Sequence, residues 1–256
     1  LLDGGLLSGA DFQRYLPNNI PSLEKKLARS QASRKLIVSD AVFSMDGNIA
    51  DLSALSEQAQ KHEAWLMVDD AHGFGVLGET GAGCVEQYQL NQQQVPVLIG
   101  TFGKAFGTAG AFVAGSEALI ETLIQFCRTY IYTTAMPPAI AAATRTSLQL
   151  IKQQSWRREH LQELIAHFKK GCQHLGLVLQ PSDTAIQPIM VGSAKQALQL
   201  SEALATQGIQ VKAIRAPTVP AKQARLRVTL SAAHSIADVD KLLVALKHIL
   251  AEVAIE

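Results

Sequence analysis

The sequence predicts an α/β fold, with a mostly parallel sheet in a large first domain and a smaller α+β domain at the C-terminal end. Three observations predict it. Short apolar runs alternate with helix-periodic segments: LIVSD at 36–40, WLMVDD at 65–70 and VLI at 97–99 are separated by stretches long enough for crossovers. The chain then changes character near Lys152, where KQQSWRREH is polar and charged, so 1–151 and 152–256 are expected to be separate domains. Finally, Ser44, Asp69, His72, Thr101 and Lys104 all fall at or just past strand ends, where a parallel sheet collects its functional groups.

Taken in order, Ser8 is placed to cap a helix over Ala10–Tyr15, and PNNIP is a turn before a helix from Pro21–Ser22 to Arg29. LIVSD forms the first strand, and VFSMDGNIADL is a polar loop with an Asp46-Gly47 turn. Asp51 caps a helix whose Leu52, Leu55 and Ala59 recur at helical spacing. WLMVDD is the second strand, followed by a glycine-rich loop. The third strand ends in the stretch VLIGTFGKAFGTAG (97–110), around which the chain is organised, and AFVAG follows it. Ser116 caps a helix from Glu117 to about Arg128, and a second helix runs from about Pro138 to Lys152. In the second domain an amphipathic helix reaches about His174, and 187–191 is a strand. A helix capped by Ser193 runs through Ala205. Two further strands, 209–214 and 225–230, flank the loop IRAPTVPAKQA. Ser235 with Asp238 forms a capping box for the last helix, lined by Leu242, Leu243, Leu246 and Leu250.

The 23 basic and 22 acidic residues balance to a net charge of +1, which argues against a nucleic-acid partner. No apolar run approaches the ~18 residues of a membrane span, and no signal-peptide pattern is visible. Cys84, Cys127 and Cys172 lie far apart, which suits a reducing compartment such as the cytoplasm. The chain opens LLDGGLLSG without an initiator methionine, and is expected to be a piece of a longer protein.

Several motifs fit familiar chemistry and fail on context. Gly73, Gly75 and Gly78 match the dinucleotide glycine pattern after a strand, but Gly81 and Gly83 interrupt the helix that should open there, and Asp69 and Asp70 would repel a pyrophosphate. Gly103-Lys104 is followed by Ala105 where a nucleotide-hydrolase loop has Ser or Thr. Asp69, Asp70 and His72 are metal-ligand types without a second cluster, so no metal is expected.

One reading uses all of these groups. Pyridoxal phosphate needs a lysine for its aldehyde and a carboxylate against its pyridine nitrogen. Lys104 and Asp69 stand one crossover apart, with Ser44, His72 and Thr101 as donors toward ring oxygen or phosphate. Apolar walls would bury Lys104 and lower its pKa, leaving the neutral amine that Schiff-base chemistry requires; the alternative on this stretch alone is a solvated loop lysine beside a glycine turn.

FSMDGNIADL, VDDAHGFGVLGETGAG and GTFGKAFGTAG resemble the α-oxoamine synthases, fold type I pyridoxal-phosphate enzymes. IYTTAMPP and AIRAPTVP…ARLRVTLSAAHS extend the resemblance over about residues 1–250. It implies that Lys104 forms the Schiff base, that Asp69 pairs with the pyridine nitrogen, and that His72 and Ser44 contact the cofactor around its 3′-oxygen. It further implies that Thr101 helps hold the phosphate, and that Thr133 or Thr134 reaches the phosphate of the partner subunit in a homodimer. Arg215 and Thr218 would hold a substrate carboxylate, a task suited to the planar guanidinium fork. The implied reaction condenses L-alanine with a pimeloyl thioester, losing CO2 and coenzyme A. The alternatives are a sister synthase that uses glycine, and a non-catalytic partner subunit; Lys104 with Asp69 and His72 argues against the latter. The chain departs from the family in having Arg-Ala-Pro-Thr for Arg-Pro-Pro-Thr. The family's phosphate-binding glycine turn and ring-stacking histidine are expected ahead of Leu1.

Overall fold

The computed structural model describes residues 1–253; the end of the expected second domain, 254–256, lies outside the described residues. The chain forms two compact units: 1–42 with 50–153, and 43–49 with 154–256. The loop 43–49 thus clusters with the second unit, although the sequence places it in the first.

The first unit opens with α1 (Leu2–Leu7) and α2 (Ile20–Arg29). The helix expected over Ala10–Tyr15 is absent. Ser8 instead closes α1, its hydroxyl donating to the Gly5 carbonyl at 2.7 Å. Asn19 caps α2 by accepting from Ser22 N–H, and Leu23 and Leu27, one turn apart, are its buried residues. Then follow β1 (Lys35–Asp40), α3 (Leu52–Lys61), β2 (Ala64–Asp69), the single turn α4 (Cys84–Gln87), β3 (Val97–Thr101) and β4 (Ala111–Gly115). Asp51 accepts from Ala54 N–H at 3.0 Å, a cap that contributes about 1 kcal/mol.

These strands form one sheet in the order β1-β2-β3-β4. The first three are parallel, with Asp40 opposite Asp69 in register. The fourth runs antiparallel, a hairpin partner of β3 that returns the chain directly from Thr101 to Ala111. Ile37, Leu66, Val68 and Val97 are buried in the sheet, and α3 packs on β2 through Leu52, Leu55 and Ala59. Each such side chain contributes about 1.5–3 kcal/mol when fully buried. The unit ends in α5 (Glu117–Phe126), α6 (Arg128–Ile131) and α7 (Pro138–Gln153). Where one helix is expected to run to Arg128, the extended backbone of Cys127 breaks it.

The second unit contains α8 (Trp156–His174), β5 (Ile186–Gly192), α9 (Ala194–Thr206), β6 (Lys212–Ile214), β7 (Ala224–Thr229) and α10 (Ile236–Val253). Its antiparallel sheet has the order β5-β7-β6. The strand expected from 209 begins only at 212, because Ile209 N–H is spent on the Leu204 carbonyl in leaving α9. Phe168, Leu164, Leu204, Leu226 and Leu246 centre its core. Ser235 and Asp238 form the expected capping box.

Candidate active site

Strand alternation decides which of the two adjacent carboxylates faces a site. Successive residues of a strand point to opposite faces. Asp70 is fully buried, and its carboxylate accepts from Cys84 N–H at 2.6 Å, tying the glycine-rich loop 73–83 back to the sheet. Burial pushes its carboxyl up to about 6, against the lowering effect of its hydrogen bonds from Cys84 and Gly73. Asp69, half-buried, is the last residue of β2; one oxygen accepts from Ala71 N–H at 3.0 Å. The three-residue metal reading therefore fails on geometry, since Asp70 is committed to the interior. His72 sits half-buried in the turn after Asp70, and no helix opens there, as the dinucleotide reading would require.

Lys104 occupies a tight loop between β3 and β4. Thr101 Oγ1 donates to the Gly110 carbonyl at 3.1 Å and accepts from Gly103 N–H at 3.3 Å. Phe102 N–H donates to the same Gly110 carbonyl, and Gly107 N–H closes a turn onto the Lys104 carbonyl at 2.9 Å. Gly107 has φ +64°, a left-handed conformation that costs glycine little. Beneath the loop, the Phe102 ring stacks on Phe112 and meets Phe106 edge-on, while Phe106 is buried. The aromatic side chains, not the lysine, fill the apolar space: Lys104 is exposed, so the expected burial of its amine is corrected.

The loop nevertheless leaves β3 at the same edge of the sheet at which β1 and β2 end in Asp40 and Asp69. Burial raises the Asp40 carboxyl, the neighbouring Asp69 adds to that, and the Lys104 ammonium opposes both. Asp69, His72, Thr101 and Lys104 thus lie at the carboxyl edge of the parallel strands. Asp40 joins them unannounced by any motif; its register opposite Asp69 becomes readable only once β1 and β2 are known to be adjacent.

Thr133 and Thr134 lie in the exposed segment between α6 and α7, where Thr133 Oγ1 donates to the Thr129 carbonyl. Phe126, Tyr130 and Tyr132 around them are exposed, at 77%, 64% and 73%.

Ser44, Arg215 and Thr218 belong to the second unit. Arg215 and Thr218 are both exposed and share one turn after β6, closed by Thr218 N–H on the Arg215 carbonyl at 3.0 Å. The loop carrying Ser44 is gripped by β7. Arg227 Nε donates to the Ser44 carbonyl at 2.6 Å, and the buried Arg225 pairs with Asp46. Ser182 and Thr184 hydroxyls both donate to the Gly47 carbonyl, at 3.0 and 2.9 Å. Neither arginine was singled out from the sequence. The one available signal is their i, i+2 spacing, which puts two cations on one face of a strand.

Known proteins share this architecture. The family model described as aminotransferase class I and II matches residues 6–246. An 8-amino-7-oxononanoate synthase of Pseudomonas paraeruginosa is 63% identical over 246 residues, covering 96% of this chain and 61% of that protein. Another, of Cellvibrio japonicus, is 60% identical over 255 residues, covering 100% of this chain and 64% of its own. The chain therefore spans about three-fifths of the length of the curated relatives it matches. Among solved structures, a serine palmitoyltransferase from S. paucimobilis, determined with PLP and myriocin bound, superimposes with a TM-score of 0.94 at 31% identity, over 100% of this chain and 65% of that one.

Proposed function

The chain belongs to the aminotransferase class I and II family, and from that premise we propose that the protein it is part of binds pyridoxal 5′-phosphate and acts as an 8-amino-7-oxononanoate synthase. Its reaction is the condensation of L-alanine with a pimeloyl thioester in biotin biosynthesis, releasing CO2 and the thiol carrier. The observation that carries this reading is the placement of Lys104 on the loop after β3 with Asp69 at the end of the adjacent β2. An amine, a carboxylate and a hydroxyl at one sheet edge are the donor set that an aldehyde, a basic ring nitrogen and a phosphate call for.

When bound, the cofactor supplies an aldehyde and a protonated ring that withdraws electrons from an amino acid's Cα. Asp69 supplies the carboxylate that keeps the ring nitrogen protonated. Lys104 would hold the aldehyde through its amine, and the same amine, when free, would serve as the general base that takes the Cα proton of alanine and returns one. His72 and Ser44 are the donors that would serve the ring's 3′-oxygen, and Thr101 would contribute to the phosphate. Arg215 and Thr218 bind the free carboxylate of the pimeloyl chain.

Two exposed features support a homodimer. The aromatic residues around Thr133 and Thr134 are of the kind a second copy covers, and these threonines would then address that copy's phosphate. Among the described residues no helix is long and apolar enough to cross a membrane. The three cysteines are free, in keeping with a cytoplasmic location.

Borohydride reduction of the full-length protein, followed by peptide mapping, tests the assignment. A pyridoxyl adduct on Lys104 is expected, and one on Lys152 or Lys212 overturns it.

A further inference from the structure

Helix α7 has sixteen residues, and all of its flanks are open except one line. Ile140, Thr144, Ser147 and Ile151, spaced four, three and four apart, are half-buried, while its other residues are exposed. That spacing is one face of an α-helix. Two of the four are hydroxyl residues in the middle of a helix, where such side chains have no propensity advantage. Both are spent on the lysine loop. Ser147 Oγ donates to the Phe106 carbonyl at 2.7 Å. Thr144 Oγ1 and Thr108 Oγ1 are 2.8 Å apart; one hydroxyl donates to the other, and the accepting one donates to its own carbonyl, Ile140 at 2.8 Å for Thr144 or Phe102 at 3.3 Å for Thr108. The two contacts flank Gly107, whose N–H closes the turn begun at Lys104.

The same face also fixes the neighbouring loop. A Cβ on Gly75 would stand 2.8 Å from the Ala105 side chain and 3.2 Å from Ile151, so the glycine loop after Asp69 is packed against the residue next to Lys104. Glycine is required there by close approach.

We propose that Thr144 and Ser147 are positioning residues for Lys104: two hydroxyls one helical turn apart on α7 hold the 104–108 turn and thereby set where the lysine amine stands. Lys104 is exposed, and the turn that carries it is closed by Gly107 N–H on the Lys104 carbonyl, between the two hydroxyl contacts. A one-ångström displacement of a reacting group is enough to cost a large factor in rate. The proposal rests on Lys104 being the cofactor-bonding residue, and its test separates the two.

The variants are Ser147→Ala and Thr144→Val, with Thr144→Ser and Ser147→Thr as hydroxyl-retaining partners, all in the full-length protein. In cofactor-free protein, hydrogen exchange at the Gly107 and Thr108 amides should quicken about five-fold in each hydroxyl-deleting variant, the loss expected of one hydrogen bond. In the cofactor-loaded protein, kcat should fall about three- to ten-fold with KM for the thioester unchanged, and the pH midpoint of the visible absorbance should move. The hydroxyl-retaining variants should restore all three. Wild-type exchange, kcat and pH midpoint in Ser147→Ala and Thr144→Val overturn the proposal, even if the melting temperature drops, because the stripe would then be packing alone. If borohydride traps no adduct on Lys104 of the wild-type protein, the functional assignment falls, while the cofactor-free exchange still decides whether these hydroxyls hold the turn.

Discussion

Asp46→Ala should loosen the Ser44 loop by a factor large enough to measure amide by amide. The Arg225 side chain is 3% exposed and its partner Asp46 36% exposed. Removing one member of a buried ion pair costs roughly 3–5 kcal/mol, because the other charge is left uncompensated. Two features lower that figure. Water reaches Asp46 already, and Arg225 keeps its Nε bond to the Gln223 carbonyl at 3.1 Å. A loss of about 2–3 kcal/mol remains, the worth of a hydrogen bond between charged groups. Hydrogen exchange in the full-length protein reads this directly: the Gly47 amide, bonded to the Phe43 carbonyl at 2.7 Å, should exchange about 30- to 150-fold faster. Asp46→Asn, which keeps an acceptor without the charge, should fall between the two. Adding Arg225→Met to Asp46→Ala should recover most of the protection, since an apolar side chain removes the stranded cation. Acceleration below three-fold, or a double variant worse than the sum of its singles, would refute the reasoning.

The adjacent carboxylates should separate cleanly. Asp69→Asn in the full-length protein should lower kcat and kcat/KM together, by about 100-fold or more, while the cofactor still bonds to Lys104, since an amide cannot hold the ring nitrogen protonated; steady-state kinetics with near-wild-type kcat would remove Asp69 from that role. Asp70 should govern stability through pH. Its carboxyl is raised to about 6 from an unfolded value near 3.9, so it is neutral in both states at low pH and costs stability as pH climbs through that window, by about 3 kcal/mol above it. Asp70→Asn should flatten the rise in exchange of the Cys84 amide between about pH 4 and 6, after correction for the intrinsic rate; parallel profiles for variant and wild type would show that Asp70 does not titrate in the folded protein.

Sequence legibility followed the range of the interaction. Asp51, Ser116, Ser193 and the Ser235–Asp238 box act within three residues, so their helices start where pattern and cap agree. Strand ends were readable for the same reason, and with them the gathering of Asp69, His72, Thr101 and Lys104 at one edge. Asp69 was chosen over Asp70 by its crossover spacing from Lys104 and by the resemblance; alternation alone says only that the two face opposite ways, and the burial of Asp70 against Cys84 supplies the sign. The grip of Arg225 on Asp46 spans 179 positions, and nothing local announces it. The lysine loop shows the sharpest contrast. Apolar neighbours in the sequence were read as walls around Lys104, yet Phe102 and Phe106 satisfy one another and Phe112 instead. A hydrophobic-periodicity reading of α7 sees a weakly apolar helix, because two of the four residues it turns inward are Thr144 and Ser147. Small hydroxyl residues register as surface in such a reading, and here they are the contact. Phe106 and Thr108 meet Ser147 and Thr144 across 41 and 36 positions of chain, and polar contacts of that range are the class that a single sequence hides.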